Sequence, residues 1–274
     1  MVKKRTILPS EGTHWYLPNG SPFYTVIGAN GKERDTTLKD ARKVGAGPST
    51  TTITKILAKP QLQNYFEERI FKATLSLEPQ PGDDTNSLFA KVVAISRARG
   101  KKAARRGDVL HANIENFIWF GTPLDDKWSN HCRQLKRAME ESGFDLEKAR
   151  SEHSFFHSLG YGGKVDYHDS TPKVADWKTK DKIEEGKKYA FEEHEMQLAS
   201  YREGLALPNA ECWNFFIGEL DCKVLAIKHE EEKLKVAWQK FMCLLAYWQL
   251  DKQYFPGTLP PWQDQLISTS SSTR

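Results

Sequence analysis

Residues 160–180 read GYGGKVDYHDSTPKVADWKTK, and we expect the fold to be built around this stretch. Polar and apolar residues alternate from 163 to 168 and again from 173 to 179, which predicts two β-strands. Residues 169–172 between them, Asp-Ser-Thr-Pro, combine an Asx acceptor, two hydroxyls and a fixed φ, as tight turns do. We therefore predict two adjacent antiparallel strands joined by a short turn.

The expected pairing of these strands brings three charged side chains together. Antiparallel pairing places Asp166 near Asp176, and the alternation of a strand puts Asp176 and Lys178 on the same face. Two carboxylates held close together repel each other, and one of them takes up a proton unless a cation lies between them. A divalent metal ion would resolve that conflict. The alternative is an exposed hairpin on which Asp and Lys form a solvated face.

The composition suits a soluble globular protein with one large domain or a core plus a lobe. Hydrophobic residues make up 39% of the 274 positions and charged residues 28%. Because Lys and Arg outnumber Asp and Glu by only 40 to 36, the distribution of charge is more informative than its total. No apolar run has the length of a signal-peptide core or a membrane span. We expect an intracellular, cytoplasmic protein without membrane contact, in the host cytoplasm if a phage encodes it.

The cysteine pattern matches neither a zinc site nor a disulfide framework. No Cys-x-x-Cys pair occurs among the four cysteines, which are Cys132, Cys212, Cys222 and Cys243. Free thiols in a reducing compartment are therefore the expected state.

A cluster of positive charge follows residue 90, and we call it the basic run. Seven cationic residues lie within sixteen positions: Lys91, Arg97, Arg99, Lys101, Lys102, Arg105 and Arg106. Such a run is either a solvated helix face or a surface that holds a phosphate backbone. The sequence of the run alone does not favour one of these over the other.

Two helical segments carry polar pairs spaced by four residues, and such pairs meet on one helix face. His111 and Glu115 lie on a predicted helix directly after the basic run. Gln197 and Tyr201 lie on the predicted helix 192–207. On spacing alone, an ordinary surface His–Glu pair explains His111 and Glu115 better than a functional role does, and either Gln197 or Tyr201 could be ordinary helix surface.

The remaining patterns predict further elements and the organisation of the chain. We expect short strands at 15–17 and 23–27, a polar loop at 28–47, helices beginning near 48 and covering 62–75, 128–139 and 230–254, and strands at 151–157, 213–218 and 223–227. The predicted regions are an N-terminal lobe over 1–89, a core over 90–255 and a tail without fixed structure over 256–274.

Taken together and in this order, the motifs resemble the PD-(D/E)XK nuclease superfamily. The order of His111, Asp166, Asp176-Trp177-Lys178 and Gln197-x-x-x-Tyr201 is that of its RecB-type exonuclease branch, which includes phage recombination and mitochondrial genome-maintenance exonucleases. Val165 stands where the signature has its proline. The resemblance covers roughly residues 90–230. It implies an α/β, restriction-endonuclease-like core, with a central mixed β-sheet flanked by helices and a mainly helical N-terminal region that covers a DNA channel.

The resemblance also implies roles for individual residues. Mg²⁺ or Mn²⁺ would be held by His111, Asp166, Asp176 and the backbone carbonyl of Trp177, while Asp166, Asp176 and Lys178 would be catalytic. Supporting acids would be Glu115 and Glu152, and substrate contacts would come from Gln197, Tyr201, Arg97, Arg99, Lys101, Lys102, Arg105 and Arg106. Iron–sulfur members need one cysteine ahead of the His motif and a cluster of them near the C-terminus. The scattered cysteines here do not match, so no iron–sulfur cluster is expected.

The expected function is a metal-dependent DNA exonuclease that hydrolyses phosphodiester bonds from a DNA end in recombination, repair or replication. DNA would be its partner, with a recombination or replication protein as a further one. The alternatives are a structure-specific or restriction-like endonuclease of the same superfamily and a catalytically inactive DNA-binding module. No G-x-x-x-x-G-K-[ST] motif occurs, so the chain is not itself an ATP-driven motor.

Overall fold

The structure is a computed structural model that describes residues 14–57, 60–146, 150–169 and 171–258. The strands are β1 Trp15–Tyr16, β2 Thr25–Ile27, β3 Glu33–Asp35, β4 Gly47–Pro48, β5 Arg150–His157, β6 Tyr161–Asp169, β7 Lys173–Lys180, β8 Glu211–Gly218 and β9 Val224–Lys228. The α-helices are α1 Leu38–Val44, α2 Thr50–Thr54, α3 Pro60–Ser76, α4 Thr85–Phe120, α5 Ser129–Glu141, α6 Glu192–Gly204 and α7 Glu231–Lys252.

Strands β5 to β9 form one five-stranded mixed sheet in the order β5-β6-β7-β8-β9. Neighbouring strands are antiparallel except for β7 and β8, which are parallel. A parallel pair needs a crossover connection, and α6 supplies it here. Helices α5, α6 and α7 flank the sheet and bury apolar side chains with it. The prediction of an α/β chain with a central mixed sheet flanked by helices is therefore confirmed.

The turn between β6 and β7 is built by one buried carboxylate, that of Asp169. Its Oδ1 accepts hydrogen bonds from the Thr171 backbone N–H at 2.9 Å, the Thr171 hydroxyl at 2.5 Å and the Lys173 backbone N–H at 3.2 Å. An Asx acceptor that binds the backbone two residues on is the behaviour predicted for this turn. The same carboxylate bonds the backbone N–H of Asp145, so the turn is also tied to the chain ahead of β5.

The chain's internal contacts divide the described residues into two compact units. The first comprises α3 and the first part of α4, up to Leu110, and is held by buried Ala73 and by a 2.7 Å hydrogen bond from Arg69 Nε to the Ser96 carbonyl. The second comprises residues 14–56 and everything from His111 onward. The predicted border between residues 89 and 90 falls inside α4, and the three-region division stays a prediction.

The prediction of a loop over residues 28–47 is wrong, because β3, α1 and the start of β4 lie there. Thr37 caps α1: its hydroxyl accepts from the Asp40 backbone N–H, and the Asp40 carboxylate accepts from the Thr37 backbone N–H at 3.0 Å. This reciprocal pair is a capping box with Asp in place of Glu. Gly45, at φ 68°, ends the helix in the left-handed conformation that glycine tolerates. Local capping thus stabilises a helix too polar to be recognised by its periodicity.

Some sequence predictions fall on residues that the structure does not describe. Residues 1–13 and 259–274 are outside the described ranges, so the structure does not describe most of the predicted tail over 256–274.

The four cysteines are free thiols. None of the helices in the described part of the chain combines the length and the apolar character needed to cross a bilayer.

Glycine is required where α6 meets β5. A Cβ on Gly204 would lie 1.9 Å from the Phe155 ring, which also packs edge-on against Tyr201 at 6.0 Å. We expect Gly204→Ala to lower the free energy of unfolding by about 1–3 kcal/mol, the usual cost of overpacking a core. Gly100→Ala is the matched control, because nothing lies within 4 Å of that site on α4, and it should stabilise by about 1 kcal/mol. Urea titration of both variants measures this, and equal midpoints would contradict it.

Candidate functional site

The pairing of β6 with β7 brings the two predicted acids together. The register pairs Tyr167 with Ala175, and one step further along it sets Asp166 opposite Asp176. The ladder stops there, and Asp166 Oδ2 accepts a 2.8 Å hydrogen bond from the backbone N–H of Trp177. The Asp166 carboxylate therefore accepts a backbone N–H of β7 that no longer pairs with the backbone of β6. The expectation that the hairpin would bring Asp166 to Asp176 is confirmed.

Lys178 lies on the same face of β7 as Asp176, as the strand alternation predicts. Its Nζ is 2.8 Å from Asp176 Oδ1 and 2.6 Å from Oδ2. Helix α6 adds a second contact, because Lys178 Nζ also donates to Gln197 Oε1 at 3.1 Å. Gln197 in turn donates through Nε2 to the Tyr201 hydroxyl at 2.7 Å. The structure thus joins these two helix residues to the Asp-x-Lys strand in one hydrogen-bonded chain.

His111 approaches the same acids from α4. Leu110 and Ile114 are fully buried and fix this part of the helix. His111 Nδ1 then lies 3.5 Å from Asp166 Oδ1. The His111 and Lys178 side chains keep 28% and 26% of their surface exposed, whereas the Asp176 side chain keeps 3%. The site therefore opens to solvent on the side of His111 and Lys178.

The electrostatics follow from burying two acids side by side. Burial raises the pKa of Asp176 to about 6, with Lys178 opposing that rise and the Asp166 charge adding to it. Burial also acts to raise the pKa of Asp166, but His111 and Lys178 outweigh it and hold that pKa below its ordinary value. Burial acts to lower the pKa of His111, yet the charge and hydrogen bond of Asp166 raise it overall. Asp166 and His111 therefore each favour the charged form of the other.

The donor set suits a hard divalent cation. Two carboxylates and one ammonium leave the site with one negative charge when His111 is neutral, and a buried charge of that kind requires a counter-ion. Adjacent ligands of an octahedral ion with bonds of about 2.1 Å lie about 3.0 Å apart. His111 Nδ1 and Asp166 Oδ1 are 3.5 Å apart, so they would have to move closer together to share such an ion. Among the described residues, however, no group of three His, Cys, Asp or Glu side chains is already arranged around a common point. Lys178 occupies both oxygens of Asp176, so a cation would have to share that carboxylate with it.

The remaining predicted residues are less closely tied to the site. Glu115 is half-buried, one turn after His111 on α4. Glu152 lies on β5 at the position opposite Asp166 in the strand register, and its side chain is outside the described set. The substrate-binding part of the basic run lies on α4 in the first compact unit: Arg97, Lys102 and Arg105 are exposed, Arg106 is half-buried, and the side chains of Arg99 and Lys101 are not described. Their contact with DNA stays a prediction.

Sequence reasoning missed two sets of residues at this site. Asn214 on β8 and His229 after β9 extend the hydrogen bonds of Asp176 into the protein. Tyr16 on β1 bonds the Tyr24 hydroxyl at 2.7 Å. The pKa of Tyr16 is raised well above normal by burial and by Tyr24, and the nearby Asp166 carboxylate adds to that rise.

Comparisons with known proteins assign no family. No family model matches the chain, and no curated protein matches it. Among solved structures, the crystal structure of SSO0001 aligns with a TM-score of 0.31 and 13% sequence identity, over 67% of this chain and 85% of that chain. A similarity of this size carries no argument about fold family or activity, so the functional argument rests on the site itself.

Proposed function

We propose that the chain is a divalent-metal-dependent DNA exonuclease that hydrolyses phosphodiester bonds from a DNA end. The observation that supports this best is the convergence of His111, Asp166, Asp176 and Lys178 from one helix and two paired strands. Acids alone would suit many hydrolases. Here Asp166 and Asp176, with the His111 imidazole beside Asp166, provide ligands for a cation. Lys178 beside Asp176 provides a group that can act on water or phosphate.

The proposal includes a restriction-endonuclease-like core. Its support is the placement of the Asp-x-Lys strand in the middle of a five-stranded mixed sheet, with α6 as the crossover that follows it. The regular β6–β7 pairing stops before Asp166, which leaves that carboxylate free of the ladder beside Asp176.

The metal ligands would be Asp166, Asp176, the Trp177 carbonyl and His111. Oxygen donors suit Mg²⁺, and an added imidazole favours Mn²⁺. A bound divalent ion would supply charge stabilisation for the pentacoordinate phosphate and a lower pKa for a bound water. His111 must be neutral to bind, so metal binding would displace the proton that Asp166 now favours.

Lys178, Gln197 and Tyr201 would have roles other than binding the metal. Lys178 lies beside Asp176 with a quarter of its side chain exposed, so its ammonium can orient water or approach a phosphate oxygen. Gln197 fixes that ammonium from the other side. Tyr201 is buried and accepts a hydrogen bond from Gln197, which favours a supporting role for it over direct stacking on a base.

A requirement for a DNA end is the first testable consequence. With Mg²⁺, linear single-stranded or duplex DNA should be shortened progressively, while closed circular DNA survives, because a strand must be fed past the metal from its terminus. The assay uses one plasmid, closed or linearised and end-labelled. Asp166→Asn protein purified in parallel controls for contaminating nucleases.

Each rival function has its own outcome in this assay. If the closed circle gives discrete internal fragments, the protein is an endonuclease of the same superfamily and not an exonuclease. Binding of linear DNA without any cleavage, in Mg²⁺ and in Mn²⁺, would indicate a DNA-binding module without activity. Progressive shortening of linear DNA alone supports the proposal.

A further inference from the structure

The Asp176 carboxylate accepts a hydrogen bond from the buried amide of Asn214. Asn214 lies on β8, directly opposite Asp176 in the parallel β7–β8 register, and is fully buried. Its Nδ2 donates to Asp176 Oδ2 at 2.9 Å and to the Asp176 backbone carbonyl at 3.2 Å. One amide therefore fixes both the carboxylate and the strand that carries it.

The direction of these hydrogen bonds fixes the orientation of a histidine. Because Asn214 Nδ2 faces two acceptors, Asn214 Oδ1 must be the atom that faces His229. His229 Nε2 lies 2.8 Å from that oxygen, so it carries a hydrogen and donates. The His229 side chain is only 2% exposed, and its Nδ1 lies 3.7 Å from Glu195 Oε1 on α6. A directed hydrogen-bonded chain thus runs from His229 through Asn214 to Asp176.

We propose that Asn214 and His229 are positioning residues for the carboxylate of Asp176. This inference rests on the proposed function, because it concerns the same site. Lys178 contacts both Asp176 oxygens through a single ammonium on the same strand. The Asn214 bond to Oδ2 adds a second, fully buried donor from the neighbouring strand, and His229 prevents the amide from turning its oxygen toward the acid. Partners that orient a metal ligand typically contribute about 10- to 100-fold to metal affinity or activity.

The first test compares substitutions at His229, which touches neither metal ligand nor substrate. His229→Leu removes the donor, whereas His229→Gln places an amide N–H where Nε2 was. We expect His229→Leu to weaken Mn²⁺ binding and to lower turnover on linear DNA by about 10-fold or more, and His229→Gln to restore most of both. Calorimetric titration with Mn²⁺ measures the affinity. Equal losses in the Leu and Gln variants would overturn the inference.

A second test uses Asn214→Leu alone and combined with His229→Leu. Because His229 acts through Asn214, the double variant should be no worse than Asn214→Leu, so the losses should not add. Additive losses would overturn the inference. Gln249→Leu is the matched control, because it removes another buried amide that does not contact the acids. The Gln249 amide donates to the Leu159 carbonyl at 2.9 Å. It should lower the melting temperature without changing Mn²⁺ affinity.

The outcomes separate this inference from the function on which it rests. If the wild-type chain neither binds Mn²⁺ nor cleaves DNA, the proposed function fails and the positioning role fails with it. If the wild type does both and Asn214→Leu, shown to be folded by circular dichroism, matches its Mn²⁺ affinity, only the positioning role fails. If Asn214→Leu does not fold, the comparison of His229→Leu with His229→Gln decides alone.

Discussion

Asp166→Asn is expected to leave the chain folded and to lower DNA hydrolysis by at least about 1,000-fold, a change of about 4 kcal/mol in activation free energy. The amide oxygen of the new side chain can still accept from the Trp177 backbone N–H, and its NH₂ can donate to a neutral His111 Nδ1. The local hydrogen bonds are therefore conserved. What is removed is the negative charge that would attract the proposed metal ion.

The measurement pairs initial rates on end-labelled linear DNA with calorimetric titration of Mn²⁺. Asp221→Asn is the control for a carboxylate charge lost away from the site: the two Asp221 oxygens accept from the backbone N–H groups of Ile183 and Lys223, and an amide oxygen can keep one of these hydrogen bonds. It should change neither quantity. Wild-type rates in a folded Asp166→Asn protein would remove Asp166 from the site and, with it, the basis of the metal proposal.

Asp176→Asn is a less clean probe of the same site. Lys178 and Asn214 both donate to the Asp176 carboxylate, so an amide NH₂ there must face a donor whichever way it turns. Such a mismatch in a buried position costs about 1–3 kcal/mol of stability. A loss of activity in this variant could come either from the lost charge or from reduced folding, and the assay would not separate the two. The structure therefore favours Asp166 as the acid to test.

The central hairpin could be predicted from sequence because a strand's side-chain period of two leaves little freedom. Once Asp169 to Pro172 is recognised as a turn, the register follows, and with it the meeting of Asp166 and Asp176. The position of Lys178 follows from the same alternation. His111 could be proposed only by resemblance, because nothing in a helical period says which strand a helix faces.

Asn214 could not be predicted in the same way. The contact with Asp176 spans 38 residues and depends on the parallel register of β7 with β8, which the connecting helix α6 sets and no local pattern encodes. A signal was present, since a polar residue between Trp213 and Phe215 in an otherwise apolar strand is expensive to bury without a partner. Tyr16 was missed for a similar reason: tertiary packing alone brings β1 near Asp166.

Lys178→Met is expected to separate metal binding from turnover. The substitution keeps most of the length of the side chain but removes the ammonium that contacts both Asp176 oxygens. Without it the site carries one more negative charge, so Mn²⁺ at pH 8 should bind at least as tightly as to the wild type. Turnover should fall by about 100-fold or more, the usual contribution of a group that moves or orients a proton.

The same variant should change how metal affinity depends on pH. Burial already raises the pKa of Asp176 to about 6, and the Lys178 ammonium opposes that rise by favouring the ionised carboxylate. Removing the ammonium therefore raises the Asp176 pKa further. Because Mn²⁺ competes with a proton for this carboxylate, affinity in Lys178→Met should begin to fall at a higher pH than in the wild type as the solution is acidified.

Mn²⁺ titrations from about pH 5.5 to about pH 8, the range in which histidines and perturbed acids titrate, give the comparison directly. Lys173→Met is the matched control, because that lysine lies on the same strand but donates to the Gly143 carbonyl at the far end of β7. It should leave affinity, turnover and the pH profile unchanged. If Lys178→Met instead loses Mn²⁺ affinity at pH 8 in proportion to turnover, the lysine holds Asp176 in place and takes no part in the chemistry. Wild-type turnover in Lys178→Met would mean that the Asp-x-Lys arrangement is a surface ion pair and not a catalytic one.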